Sequence, residues 1–202
     1  MKNALLLLCL LSSSCVPVVQ HGPWVRQGSS GSLGSSFVVV KEAGEGGAPG
    51  PLISFDGSMR WGHTTNDTTH EGFSLGVQVP LVALLAAGDF ETGFWQLIHL
   101  DGYVVIPATK TLNASFGISG SSFHTMPYLQ LGKYDKWYTT QAVMFESESG
   151  GKLWAPSFTW VGHERGGNRT HITVTGGLGT DNSDVYWLAG FSIIFEFARA
   201  RN

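Results

Sequence analysis

Apolar and polar residues take turns along most of the chain after Pro51, with the two-residue period of a strand whose faces meet different surroundings. Phe73, Leu75, Val77, Val79 and Leu81 alternate with Ser74, Gly76, Gln78 and Pro80. Pro80 has no backbone donor, so this strand stops there or lies at a sheet edge. Residues 111–118 alternate through Leu112, Ala114, Phe116 and Ile118, and Ile172 and Val174 oppose Thr173 and Thr175. Residues 128–131, 137–145 and 153–161 are further strand segments, and 81–87 reads as a short helix or another buried strand. The last run, 185–197, carries Val185, Trp187, Ala189, Phe191, Ile193, Phe195 and Phe197 on one face. Its other face holds Leu188 and Ile194 as well, so it predicts a long strand buried on much of both sides. Asp101-Gly102, between apolar runs at 94–100 and 103–106, predicts a two-residue hairpin because Gly accepts positive φ. The sum is about nine or ten strands, at most one short helix and no repeat of fixed period.

That order favours a two-sheet β-sandwich, jelly-roll-like, over residues 51–202. An outer-membrane barrel is the alternative, and it needs spans of about ten residues with one continuous apolar face and aromatic girdles. The runs at 73 and 185 qualify. The run at 172 is short, and Pro80, Pro107, Pro127 and Pro156 fit loop-interrupted sandwich strands better. Bacterial barrels typically finish on an aromatic residue, whereas Phe197 is followed by five more residues.

Residues 1–20 read as a leader: Lys2, an apolar run from Ala4 to Leu11, then small residues. Cys15 after Ser12-Ser13-Ser14 resembles a bacterial lipoprotein signal and is the candidate lipidation site, although that pattern prefers Leu where Ser12 stands. Residues 21–50 are rich in Gly and Ser and read as a stalk with one short strand at 36–41. Both cysteines, Cys9 and Cys15, fall in the leader. A bacterial or viral product is therefore favoured over a disulfide-bonded eukaryotic one. Sequons at Asn66, Asn113 and Asn168 point the other way and are candidate glycosylation sites.

Composition removes several function classes. Only 13% of the 202 residues are charged, the net charge is −3, and Lys and Arg are scattered singly, so no polyanion-binding surface is expected and nucleic acid is excluded as the main partner. No 20-residue apolar run suits a membrane helix. The seven histidines, at 21, 63, 70, 99, 124, 163 and 171, match no metal-ligand spacing and read as solvated loop residues. Gly117-Ile118-Ser119-Gly120-Ser121 lacks the final Gly of a nucleophile elbow. Gly176-Gly177-Leu178-Gly179-Thr180 lacks the Lys of a phosphate-binding loop. No two carboxylates are singled out as an acid–base pair. No cofactor or metal is implied, and catalysis is left open with the inventory leaning against it.

The remaining chemistry is aromatic. Tyr134, Trp137 and Tyr138 lie beside Lys133, Asp135 and Lys136 near a turn, and Trp61 adjoins a Thr-rich loop. These four are the candidate ligand-binding residues, because Trp and Tyr supply large contact area with a polar tip. Residues 184–195 resemble, over that dozen alone, the closing strand of trimeric TNF/C1q-type jelly rolls; the family's other aromatic and Gly positions do not line up. The sequence thus predicts an exported or surface-displayed, non-catalytic binding module for a carbohydrate or protein receptor, in a virion or cell-envelope assembly, with a trimer as the implied homo-oligomer. An outer-membrane barrel or lipid-anchored envelope protein is the second expectation, and a β-scaffold hydrolase the third.

Overall fold

The computed structural model describes residues 19–42, 50–66, 68–81, 98–122, 124–146, 150–181 and 184–198. Ten strands follow one another in the chain: β1 (Gly28–Glu42), β2 (Gly50–Asn66), β3 (Glu71–Pro80), β4 (His99–Pro107), β5 (Asn113–Gly120), β6 (His124–Lys133), β7 (Trp137–Glu146), β8 (Lys152–Val161), β9 (Asn168–Asp181) and β10 (Asp184–Ala198). Each pairs antiparallel with its sequence neighbours, and β1 pairs with both β2 and β10, so the sheet closes into a barrel. The expected two-sheet sandwich is therefore incorrect. Both architectures use the same alternation; closure by β1, which the sequence hid in a Gly/Ser-rich stretch, makes the difference. The dozen residues likened to a jelly-roll closing strand are instead β10, half of that seam.

The two ends of the barrel are distinguishable. The near end carries the start of β1, the end of β10 and the connections at 67–70, 108–112, 134–136 and 162–167. The far end carries those at 43–49, 81–98, 121–123, 147–151 and 182–183.

Polarity is distributed the opposite way from a water-soluble core. Every strand sends large apolar side chains outward, among them Leu33, Phe55, Leu75, Val104, Phe116, Leu129, Phe145, Trp160, Ile172 and Phe195. Met59 is 73% exposed and Leu100 64%. The alternate positions face the lumen and are mostly polar: Ser32, Ser36, Ser54, Asp56, Ser58, Ser74, Asp101, Ser115, Gln130, Thr140, Thr159, Arg169, His171 and Glu196 are all buried. An apolar layer interrupts this lining toward the far end, where Val38, Met126, Met144, Leu153, Ala155 and Leu188 pack together.

Several sequence expectations change accordingly. Asp101-Gly102 is no hairpin but the interior of β4, with Asp101 in the lumen and Gly102 on the outside. Gly28–Glu42, inside the segment expected to be a stalk, is a strand of 15 residues whose inward Ser32 and Ser36 suit a polar lumen. The run at 172 is not short, because β9 extends through Gly176, Gly177 and Gly179 to Asp181. Pro127 and Pro156 sit within β6 and β8, each at a gap in one ladder. β6 skips Met126–Pro127 against β7, and β8 skips Ala155–Pro156 against β9. A missing donor is thus confined to one side of each strand. Residues 82–87, read as helix or strand, lie outside the described residues.

Two lumen glycines make room for tyrosines. A Cβ on Gly117 would lie 2.2 Å from the Tyr128 ring, and one on Gly179 equally close to Tyr186. Each Gly is the cross-strand partner of the Tyr that covers it.

Candidate functional site: a lumen filled by the N-terminal segment

Residues 19–27 belong to no strand and run through the lumen, leaving it at the near end to begin β1. Gln20, His21, Gly22, Pro23, Trp24 and Val25 are all buried there. Wall and turn residues meet several of the segment's backbone polar groups, as burial demands. Gln130 Nε2 donates to the His21 carbonyl at 2.7 Å, and Tyr103 Oη donates to that of Trp24 at 3.0 Å. The Val25 amide donates to the His70 carbonyl at 2.9 Å. Ser32 Oγ donates to Gln20 Oε1 at 2.9 Å.

Three ionic groups fix the side chains. In the first, Arg60 on β2 pairs with Asp101 on β4, and Tyr128 Oη donates to the same carboxylate at 2.7 Å. His21 joins them through Tyr128 Oη at 2.9 Å, and its ring lies flat on Tyr103 with centroids 3.8 Å apart. In the second, Glu196 on β10 accepts from His171 Nε2 at 3.0 Å and forms an ion pair with Arg26 at 3.2 Å. In the third, Arg169 on β9 pairs with Glu164 at 2.6 Å and Asp135 at 2.9 Å. Its guanidinium lies between the faces of Trp24 and Tyr134, at 5.4 and 4.4 Å from their centroids. Tyr134 in turn stacks on His70 at 3.8 Å, and the Arg26 guanidinium donates to the Gly167 carbonyl at 2.8 Å. Charges taken from water persist only when paired, so each cluster makes its neighbours necessary. Together they clamp the segment between turns of the near end and the mid-depth of the wall.

The four aromatic candidates do not share a surface. Trp61 and Trp137 are on the outer face, Tyr134 is in the β6–β7 turn, and Tyr138 points into the lumen with no exposure. Trp137 and Tyr138 are consecutive in one strand, so period two sends them to opposite sides of the wall. Asn66 and Asn168 are exposed at the near end, whereas Asn113 is buried and its Nδ2 donates to the Thr69 carbonyl at 2.8 Å. Cys15 lies outside the described residues.

The histidine reading is corrected for four of the seven. His21, His99, His124 and His171 are enclosed in the barrel rather than solvated in loops. Among the described residues no three His, Cys, Asp or Glu side chains converge as a metal site. Of the lumen residues that matter most, Arg60, Tyr128, Arg169 and Glu196 were not singled out from sequence, while Asp101 was expected in a hairpin turn and His171 in a solvated loop. A signal existed: Arg60 stands between Met59 and Trp61, and Glu196 between Phe195 and Phe197. A single charge between two large apolar residues in a strand is the mark of a polar interior behind an apolar exterior.

No family model matches the sequence, and no curated protein does. Among solved structures the chain is similar to Ail, the attachment invasion locus protein of Yersinia pestis, at 10% identity and TM-score 0.34, covering 85% of this chain and all of that one. It is also similar to the KdgM porin, at 9% identity and TM-score 0.28 over 79% of this chain and 97% of that one. A third is OccAB4 of Acinetobacter baumannii, at 7% identity and TM-score 0.30, covering 81% of this chain and 62% of that one. Superpositions this loose identify neither a shared activity nor a shared ligand.

Proposed function

We propose that the chain is an outer-membrane β-barrel, sealed by its own N-terminal segment, that serves as an envelope-anchored display scaffold. The observation that carries this reading is the exchange of faces around all ten strands, apolar outward and polar inward. In water such a continuous belt would far exceed the few hundred Å² of apolar patch that soluble monomers tolerate. In lipid it is the required surface, and a closed ladder leaves no strand edge unpaired within the hydrocarbon. Outward polar atoms follow the same logic: Trp154 Nε1 donates to Gln141 Oε1 at 3.0 Å, so each satisfies the other. Trp61, Phe73, Trp137, Phe158 and Trp160 lie on the outer face toward the near end, where an interfacial aromatic girdle belongs.

The longest connections, 43–49 and 81–98, both leave from the far end. Barrels of this class keep short turns on the periplasmic side and longer loops outside, so the far end is assigned to the exterior and the near end to the periplasm. The buried segment and its ion pairs occupy the lumen, which favours display over diffusion of solutes. A carbohydrate or protein receptor at the cell surface remains the partner class we propose, met by the far-end connections.

Expression of residues 19–202 tests this. The protein should require detergent to stay in solution, should run on gels with a mobility that changes on heating, and should pass no steady current in a planar bilayer. A detergent-free soluble monomer or trimer would sink the membrane assignment. A stable open conductance of the unmodified chain would sink the sealed lumen.

A further inference from the structure

His99 and His124 are the first residues of β4 and β6, strands separated by β5, and both point into the lumen at its far mouth. Leu100 and Thr125 both pair with Gly120, so His99 and His124 come level with Ser121, whose small side chain lets the two imidazoles meet. Their ring centroids are 4.8 Å apart. His99 Nε2 is buried and has no hydrogen-bond partner. His124 Nδ1 lies 3.2 Å from Ser121 Oγ. With Nδ1–H donating to that hydroxyl, Nε2 presents its lone pair, and an oxygen acceptor on the other ring nitrogen is the usual support of a metal-binding imidazole. An unpaired buried nitrogen demands an explanation, and a role as a cation ligand supplies one.

The spacing suits an ion held between the rings. With metal–nitrogen bonds of about 2.0–2.1 Å, a metal lies about 3.2 Å from each ring centroid. Adjacent coordination positions then separate the centroids by about 4.5–5.2 Å, from square-planar to tetrahedral angles. The observed separation falls inside that window. Imidazole is a borderline ligand that selects copper, nickel or zinc over magnesium or calcium. Glu146 of β7 is the register partner of His124 and brings a carboxylate to the same rim.

We propose that His99 and His124 form an exchangeable binding site for a divalent transition-metal ion at the far mouth of the lumen, with water or the ion's own carrier filling the remaining positions. Two protein nitrogens make a capture site rather than a structural one. The inference rests on the lumen face of the barrel and not on the membrane assignment, so either can fail alone.

The test is titration of Cu²⁺ into the chelator-treated, full-length protein, followed by electron paramagnetic resonance. One equivalent should bind with hyperfine splitting from two imidazole nitrogens. His99→Ala and His124→Ala should each weaken binding at least about ten-fold. His63→Ala and His163→Ala should leave it unchanged. Ser121→Ala, which keeps both rings, should weaken it several-fold and guards against loss of folding in the His variants. Absence of binding, or binding that survives replacement of both His99 and His124 in protein with unaltered heat-modifiable mobility, would overturn the proposal, as would a signal traced to His63 or His163 alone.

Discussion

Glu196 and Phe197 are neighbours on β10 and end on opposite sides of the wall. Glu196 is enclosed with His171 and Arg26, whereas Phe197 is 45% exposed beside outward Phe195 and Ile193. The same contrast recurs at Arg60 and Trp61 on β2 and at Asp101 and Leu100 on β4. The lumen face is held by directional bonds, each of which fails if its partner is removed. The outer face carries almost no such bonds and depends on the medium around it. A substitution therefore has a cost set by the face it falls on, more than by the residue type.

The largest effect is expected where a lumen charge loses its counter-charge. Arg60→Ala leaves Asp101 buried without its cation and should destabilise the barrel by about 3–5 kcal/mol. Replacing both members, as Arg60→Met with Asp101→Leu, should recover most of that loss. Urea unfolding in micelles, followed by tryptophan fluorescence, measures both. Equal losses for the single and double variants would mean that the pair is not what stabilises this part of the lumen.

On the outer face the cost should follow depth. Leu75→Arg, mid-span on β3, is expected to lose about 2–4 kcal/mol in a bilayer, and Phe73→Arg, near the strand's end, about 0–1 kcal/mol. Refolding equilibria into lipid vesicles give both numbers. Costs of similar size at the two positions would remove the depth dependence and with it the bilayer as the surrounding medium.

A smaller effect separates two glycines. Gly117→Ala drives a methyl into the Tyr128 ring and should disturb its bond to Asp101, at about 1–3 kcal/mol. Gly176→Ala, with no atom within 4 Å of the added carbon, should change stability by less than about 0.5 kcal/mol. Thermal melts of the two variants side by side decide it.

How far the chain's sequence discloses this arrangement follows from the same contrast. Period-two alternation makes strands such as Glu71–Pro80 and Asp184–Ala198 legible. It cannot say which of the two faces is the enclosed one, because a sandwich with an apolar core and a barrel with an apolar exterior share the pattern. In β1 the lumen positions are Ser32, Gly34 and Ser36, so a strand with a polar inner face looks like a linker. The ionic groups stayed hidden for a different reason: Arg26, Glu196 and His171, or Arg60, Asp101 and His21, are brought together only by closure. The aromatic patch at 134–138 illustrates the converse, since proximity in sequence placed Trp137 outside and Tyr138 inside.

The exchange of faces is tested most directly by quenching of tryptophan fluorescence by lipids with brominated acyl chains. Two full-length variants are needed, one retaining only Trp154 and one only Trp24, with the other six tryptophans replaced by Phe. Trp154 is 47% exposed on the outer face and Trp24 is 2% exposed within the lumen. The predicted result is strong quenching of Trp154 and almost none of Trp24. Quenching of Trp24 as strong as that of Trp154, or no quenching of either, would contradict a barrel that turns its apolar face to lipid.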